Sequence, residues 1–287
     1  MIPLTIIIPA YNEESSIKET LGELIGFCKQ KLKDYQIIVV DDASRDRTGE
    51  IAKAYGEVTV MRNPVNIGYG GSIKRALPFS AHKYILIMDG DGTYPAAEIE
   101  QLMTYARDFD MVIGARKGKH YRGSLFKNIS RKIFYILVKY VTGENIPDVN
   151  SGLRIFQKDK VMRFYNRLCN GFSFTTTITI ALISTGHLVK HVDITYKKRI
   201  GSSKVRFLRD SLRTLQILVE AISYFNPIKA FLPFCIAFFL LFSYFGVRYV
   251  ILENMGYLFL SIFCMAFSVL FFSFGMLGYI FTKGKDE

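Results

Sequence analysis

Apolar, β-branched residues gather along this chain in short runs that stop abruptly at acids. Leu4-Thr5-Ile6-Ile7-Ile8, Gln36-Ile37-Ile38-Val39-Val40, Tyr84-Ile85-Leu86-Ile87-Met88 and Met111-Val112-Ile113-Gly114 each read as a buried strand. Between the first two, Ser15 to Leu32 carries Ile17, Leu21, Leu24, Ile25 and Cys28 at helical spacing. A further helix is expected from Phe174, and a strand over Val189 to Tyr196. Strand–helix alternation of this kind predicts an α/β domain. The first three strands end in Tyr11-Asn12-Glu13-Glu14, Asp41-Asp42-Ala43-Ser44 and Asp89-Gly90-Asp91-Gly92. Carboxylates are thereby expected together on one edge of the sheet, where open α/β sheets bind ligands.

The pattern changes near residue 226. Ala230 to Val247 and Met255 to Thr282 contain no charged residue. Each is about as long as the roughly 20 residues that cross a bilayer core, and both are too Phe-rich all round to have a polar face. Arg248, Glu253 and Asn254 mark a polar turn between them, so a two-span hairpin is predicted. Lys197, Lys198, Arg199, Lys204, Arg206, Arg209 and Arg213 precede it, and Lys283 and Lys285 follow it. By the positive-inside rule both ends, and the α/β domain, are expected on the cytoplasmic side. Ser124 to Thr142 and Val205 to Phe225 alternate apolar and basic residues, as helices lying in the headgroup region do. Packing on the domain core would produce the same pattern. The expected organisation is a domain over residues 1–204, an amphipathic interfacial helix over 205–226, and a transmembrane hairpin with a short basic tail over 227–287.

Composition narrows the partners. The 287 residues are 50% hydrophobic with a formal charge of +12, which favours anionic surfaces. No zinc-finger or RNP pattern accompanies the charge, so a membrane is the expected partner and nucleic acid is not. Met1 leads straight into a strand, with no apparent signal peptide. Cys28, Cys169, Cys235 and Cys264 are scattered without a CxxC, which predicts reduced thiols. His82, His120, His187 and His191 show no ligand clustering, and the predicted strand gives His187 and His191 no common face.

The chemistry centres on Asp89-Gly90-Asp91-Gly92-Thr93-Tyr94-Pro95. Two hard oxygen ligands one residue apart suit Mg²⁺ or Mn²⁺ held against a diphosphate, with glycines that admit a close ligand. A surface turn or helix capping would use the same residue types; three acidic strand ends on one edge favour a shared site. The motifs Pro9-x-Tyr11-Asn12-Glu13, Val40-Asp41-Asp42-x-Ser44-x-Asp46-x-Thr48 and Asp89-x-Asp91 follow in order, with the glycine-rich Asn66-Ile67-Gly68-Tyr69-Gly70-Gly71-Ser72 between the last two. In these the chain resembles glycosyltransferase family 2, inverting enzymes with a GT-A (Rossmann-like) nucleotide-sugar-binding domain. Asp148-Val149-Asn150-Ser151-Gly152-Leu153-Arg154 and Arg199-x-Gly201-x-Ser203-Lys204 make it most similar to the polyprenyl-phosphate (dolichyl-phosphate) mannose and glucose synthases.

The resemblance implies a nucleotide-sugar donor held by Pro9, Tyr11, Glu13, Val40, Asp42, Gly70, Gly71 and Lys74. It implies a divalent cation on Asp89 and Asp91, which are also the catalytic residues together with Arg116. A lipid phosphate is already an anion at pH 7 and needs no general base, only cations to position it. Arg116, Ser151, Arg154, Arg199, Ser203 and Lys204 are the candidates. The implied activity is hexose transfer from a GDP-mannose or UDP-glucose type donor to a polyprenyl phosphate. A glycolipid hydroxyl such as diacylglycerol is the alternative acceptor, needing a base such as Asp148. A catalytically silent nucleotide-binding membrane anchor is the alternative of another class, against which both aspartates count. Thr93 stands where relatives often carry Gln, and Thr175, Thr176 and Thr177 where many place an acid. No Gln-x-x-Arg-Trp motif is present and Trp is absent, which argues against a processive polysaccharide synthase. Homo-oligomers through the hairpin are possible; base, sugar and lipid length are not encoded in these motifs.

Overall fold

A computed structural model describes residues 2–117, 125–171, 173–198, 216, 219–220, 222–224 and 226–283. The chain divides into two compact units, Met1–Thr214 and Leu215–Glu287. In the first, seven strands form one sheet: β1 (Leu4–Ala10), β2 (Tyr35–Asp41), β3 (Val58–Arg62), β4 (Tyr84–Ile87), β5 (Met111–Lys117), β6 (Arg154–Gln157) and β7 (Val189–Thr195). Their order is β3-β2-β1-β4-β6-β5-β7. β6 runs antiparallel to β4 and β5, while every other pairing is parallel.

The four predicted strand runs all pair in this sheet, and β1 is buried at all seven positions. Helices cover both faces of a parallel sheet, which is why these runs are continuously apolar rather than alternating. The first helix, α1 (Ile17–Lys31), buries Ile17, Leu21, Leu24, Ile25 and Cys28, its predicted apolar face. β1 runs two residues past its isoleucines, through Pro9. The Ile7 carbonyl accepts from the Met88 amide (3.2 Å), and the ladder to β4 ends at Ile7↔Ile87. Pro9 lies two residues further on the same side, where no ladder donor is required.

Register brings the predicted acids together. Ala10 pairs with Asp41, and β1 separates β2 from β4, so the C-terminal ends of β2, β1 and β4 lie side by side. Strand order reverses direction between β1 and β4, the place where such sheets open a crevice.

The remaining helices are α2 (Thr48–Lys53), α3 (Tyr69–Ala76), α4 (Glu98–Tyr105), α5 (Leu125–Thr142), α6 (Lys158–Met162) and α7 (Phe174–Ser184). In α5, Val138 and Val141 are buried, whereas Tyr135, Ile136 and Tyr140 are exposed. Part of its apolar pattern therefore packs on the domain and part faces outward. Most of the predicted 205–226 helix lies outside the described residues.

The second unit holds α8 (Pro227–Leu252, 26 residues) and α9 (Met255–Lys283, 29 residues), both long and apolar enough to cross a membrane. Asn226 caps α8 by accepting from the Lys229 amide, and Glu253 ends it in the left-handed region (φ 50°). Inside the pair, the Ser268 hydroxyl donates to the Cys235 carbonyl (3.0 Å) and Ser261 to that of Phe242 (3.1 Å). Phe231, Phe234 and Phe238 pack against Phe267 and Phe271. Outward positions such as Leu240, Val250, Phe259 and Phe281 are exposed and apolar, as lipid-facing positions require.

Candidate functional site

Each of the three acidic strand ends is fixed by a different neighbour. The loop after β4 is tied down first by α1 and the residue before it: the Ser16 hydroxyl donates to the Gly90 carbonyl (3.0 Å), and Thr20 donates to the same atom (3.4 Å). Asp91 is buried, and its Oδ1 accepts from the Thr93 amide (3.2 Å) and hydroxyl (2.6 Å). Thr93, expected to stand where relatives often carry Gln, thus orients the Asp91 carboxylate. Asp89 lies against Gly152, where a Cβ would come within 2.5 and 2.6 Å of its two carboxylate oxygens. The Gly152 amide donates to the Tyr94 hydroxyl (2.8 Å). The Asp-x-Asp loop and the loop at 148–152 are therefore joined at both Asp89 and Tyr94. Burial raises the phenol of Tyr94, and burial followed by the Asp89 charge raises that of Tyr69 well above its ordinary value. Both stay neutral beside the carboxylates.

Arg116, at the end of β5, meets Asp148 through a two-pronged contact: Nε to Oδ2 at 2.6 Å and Nη2 to Oδ1 at 2.9 Å. Its backbone amide also donates to Asp148 Oδ2 (3.2 Å). The guanidinium sits 5.3 Å from the ring centroid of Tyr196, which packs edge-on against Tyr94 at 5.3 Å. Planar fork geometry and ring stacking fix an arginine where a lysine would swing. The Thr93 carbonyl accepts from the Lys197 amide (2.9 Å), which anchors the chain leaving β7 to the Asp-x-Asp loop.

Two predicted phosphate contacts are placed elsewhere. Arg154 is fully buried: Nε donates to the Ser151 carbonyl, Nη1 to the Thr175 carbonyl and Thr179 hydroxyl, and Nη2 to the Val149 and Ser151 carbonyls. All five donors of the guanidinium are matched within the protein. Ser151 is fully buried as well, and its carbonyl is part of that arrangement. Arg199, Ser203 and Lys204 lie outside the described residues. Thr175, Thr176 and Thr177 are all buried, and Thr176 donates to Asn150 (2.8 Å).

On the predicted nucleotide side, Pro9, Glu13, Val40 and Asp42 are buried and Tyr11 is half-buried at adjacent strand ends. The Asp42 carboxylate turns into the loop before α3, accepting from Asn63 Nδ2 (2.7 Å) and from the amides of Ile67 and Gly68 (both 2.9 Å). Gly68 has φ +89°, which favours glycine. Gly70 and Gly71 direct their amides at the carbonyls of Gly171 (3.3 Å) and Asn170 (2.8 Å). A Cβ at Gly70 would meet the Cys169 carbonyl at 2.2 Å. These glycines admit close packing of the 169–171 segment, and their amides are committed to it rather than to a phosphate. Lys74 follows them there, donating to the Leu168 carbonyl (3.2 Å) and Asn170 Oδ1 (3.0 Å); burial lowers its pKa.

The motifs did not single out Tyr69, Gly152 or Tyr196 as parts of the site. Gly152 and Tyr69 had a signal, since they stand inside the Asp148–Arg154 and Asn66–Ser72 motifs. Tyr196 had none.

His191 on β7 is mostly buried, and its pKa falls to about 4, first through burial and then through the Arg154 charge. The unfolded chain takes up this proton near pH 6.5, so between about 6.5 and 4 it binds more protons than the folded one. The contribution is complete above pH 6.5 and is lost as pH falls through 4. Thermal midpoints measured from pH 7 to 4 are expected to fall less steeply in His191→Phe than in the wild type; parallel curves would contradict this assignment.

Residues 5–164 match the family described as Glycosyl transferase family 2. Among curated proteins, the chain is 28% identical over 188 residues to dolichyl-phosphate beta-glucosyltransferase of Dictyostelium discoideum, covering 58% of each. It is 29% identical over 231 residues to the low-salt glycan biosynthesis hexosyltransferase Agl6 of Haloferax volcanii, covering 77% of this chain and 54% of that protein. Against undecaprenyl-phosphate 4-deoxy-4-formamido-L-arabinose transferase of Pectobacterium carotovorum it is 27% identical over 212 residues, covering 72% and 63%. These matches span between 54% and 63% of the relatives' own lengths. Among solved structures, glucosyl-3-phosphoglycerate synthase of Mycobacterium tuberculosis, in complex with Mn²⁺, UDP-glucose and phosphoglyceric acid, superposes with a TM-score of 0.63 at 16% identity. That likeness covers 77% of this chain and 80% of the other and is one of fold.

Proposed function

The chain belongs to glycosyl transferase family 2, and from that premise we propose that it moves a hexose from a nucleotide sugar to a polyprenyl phosphate, with inversion. The observation that carries this reading is the pairing of Asp89 and Asp91 at the end of β4, locked to the 148–152 loop, with Arg116 held in fixed geometry at the end of β5. Relatives named for dolichyl-phosphate and undecaprenyl-phosphate transfer support the lipid phosphate as acceptor.

The residues fit Mg²⁺ or Mn²⁺. Asp89 and Asp91 offer hard oxygens one residue apart, and Thr93 orients the second. Among the described residues no group of three or more His, Cys, Asp or Glu could hold a metal by itself. Mg²⁺ ordinarily takes one or two carboxylates and completes its shell with water and substrate phosphate oxygens. A cation there would neutralise the departing nucleoside diphosphate. Pro9, Tyr11, Glu13 and Val40 flank the nucleotide, and Asp42 shapes the loop beside it. Arg116 positions the acceptor phosphate, with Arg199, Ser203 and Lys204 as further expected contacts. A glycolipid hydroxyl would need a carboxylate to take its proton. Both Asp148 oxygens accept from Arg116, which favours the acceptor that needs no base. We place α8 and α9 in the bilayer and, from the flanking lysines and arginines, both ends of the hairpin in the cytoplasm.

The test is transfer by the detergent-solubilised full chain with Mn²⁺, polyprenyl phosphate and labelled GDP-mannose or UDP-glucose in separate reactions. Label is expected in the organic phase from one donor. EDTA should abolish it, and Asp91→Asn should lower the rate by about 10³-fold. Label from neither donor, with nucleotide binding intact, would move the reading to another sugar or acceptor. Activity that survives Asp91→Asn and EDTA would remove the metal from it.

A further inference from the structure

The backbone amides of Asn12, Glu13 and Glu14 follow β1, and each is accepted by a side chain of the segment 44–48, which runs from the loop after β2 to the first residue of α2. Asn12 donates to Ser44 Oγ (3.0 Å), Glu13 to Thr48 Oγ1 (2.8 Å) and Glu14 to Asp46 Oδ2 (3.2 Å). The Thr48 hydroxyl passes its own proton on to Asp46 Oδ1, which also accepts from the Thr48 amide (3.0 Å). The return traffic is equally complete. Asn12 Oδ1 accepts from the Arg45 amide (2.8 Å), and the Glu14 carboxylate accepts from the Arg47 amide (3.1 Å) and Nε (2.7 Å). Ser44 and Thr48 are buried. Asn12 (φ 51°) and Ala43 (φ 58°) both stand in the left-handed region. Asparagine tolerates that region but alanine does not, so the surrounding bonds have to hold the conformation.

We propose that Ser44, Asp46 and Thr48 are positioning residues that set donor-nucleotide affinity by fixing the backbone of the Tyr11–Glu14 loop. Every second residue of the 44–48 segment supplies one acceptor, and together they satisfy three consecutive amides between β1 and α1. Tyr11 and Glu13 lie on the loop so held, at the nucleotide side and away from the Arg116–Asp148 pair. The clamp therefore acts on binding that the ground state and the transition state share, and its loss should raise donor KM and Kd without lowering kcat. Thr48 is the most telling member. Its oxygen accepts from one loop while its proton goes to Asp46, and valine, of the same shape, can do neither.

The inference rests on the nucleotide-sugar reading above, so binding and transfer are measured separately. Full-length protein in detergent with Mn²⁺ would be titrated calorimetrically with UDP and with GDP, and donor KM and kcat would be measured for the nucleotide that binds. Thr48→Val and Ser44→Ala are expected to weaken nucleotide binding about tenfold, equivalent to about 1.4 kcal/mol. Both should keep kcat within about twofold at saturating donor. Thr48→Ser, which retains the hydroxyl, is expected to bind within about twofold of the wild type. Unchanged affinity in Thr48→Val, affinity in Thr48→Ser as poor as in Thr48→Val, or a fall in kcat at constant KM would each overturn the clamp. If Thr48→Val does not fold, Ser44→Ala decides by the same readings. A wild type that binds nucleotide without transferring sugar would overturn the transfer reading alone, and the titrations would still decide the clamp. A wild type that binds neither nucleotide would overturn both.

Discussion

Replacing Gly152 by alanine is expected to slow sugar transfer by about 10²-fold while the fold survives, since a displacement of about 1 Å at a reacting geometry costs that much. Backbone conformation gives alanine no difficulty here, because Gly152 is absent from the residues with positive φ. The obstacle is Asp89. A methyl group at 152 would stand 2.5 Å from its Oδ1, 2.6 Å from Oδ2 and 2.7 Å from Cγ. The 148–152 loop is held to Tyr94 and Arg154, so the carboxylate is the part that yields. It must rotate away from its present place against Gly152. Initial rates at saturating donor, taken across a Mn²⁺ titration, check this. The half-saturating Mn²⁺ concentration should rise, with part of the lost rate returning at high metal. A normal rate with an unchanged Mn²⁺ curve would mean that Asp89 is not a ligand.

The same glycine marks how far the sequence could be read. β1, β2, β4 and β5 were legible because sheets covered on both faces demand unbroken β-branched runs, and those runs are unmistakable. β6 was not, because Arg154-Ile155-Phe156-Gln157 is four residues long with two apolar positions in the middle. Missing β6 concealed the burial of Arg154, since the residue that opens an interior strand cannot reach a surface phosphate. The acids were legible as a group because three strand ends repeat them. Which way each polar group turns was not, because that depends on partners far along the chain. Gly70 and Gly71 stand among the residues expected at the nucleotide until Asn170 and Gly171, a hundred residues later, take their amides. Thr93 read only as a departure from the Gln often found in relatives until its hydroxyl was placed on Asp91. Residue type announces the chemistry, and long-range packing assigns it.

Arg154 then carries a prediction opposite to the one its residue type suggests. As a phosphate contact, it would tolerate lysine with little loss of stability and a weaker acceptor. As the buried centre of the 148–152 loop, it should not tolerate lysine at all. Burial lowers its pKa to about 10, so it is still charged at pH 7, and its donors reach four acceptors on two elements. Lysine has three donors on a flexible stem and no planar fork, so carbonyls of Val149, Ser151 or Thr175 would be left unmatched. Leaving such groups buried without partners costs about 1–3 kcal/mol each. Arg154→Lys is therefore expected to lose about 3–5 kcal/mol, or roughly 10 °C in thermal midpoint for a domain of this size. Transfer should fall with it even where the protein remains folded, because this one loop holds Asp148 against Arg116 and Gly152 against Asp89. Thermal unfolding and acceptor KM measured on the same preparation separate the cases. A stable variant with a raised acceptor KM would return Arg154 to the phosphate, and an unstable one with unchanged KM in its folded fraction would keep it beneath the site as the residue that holds both carboxylate partners in place.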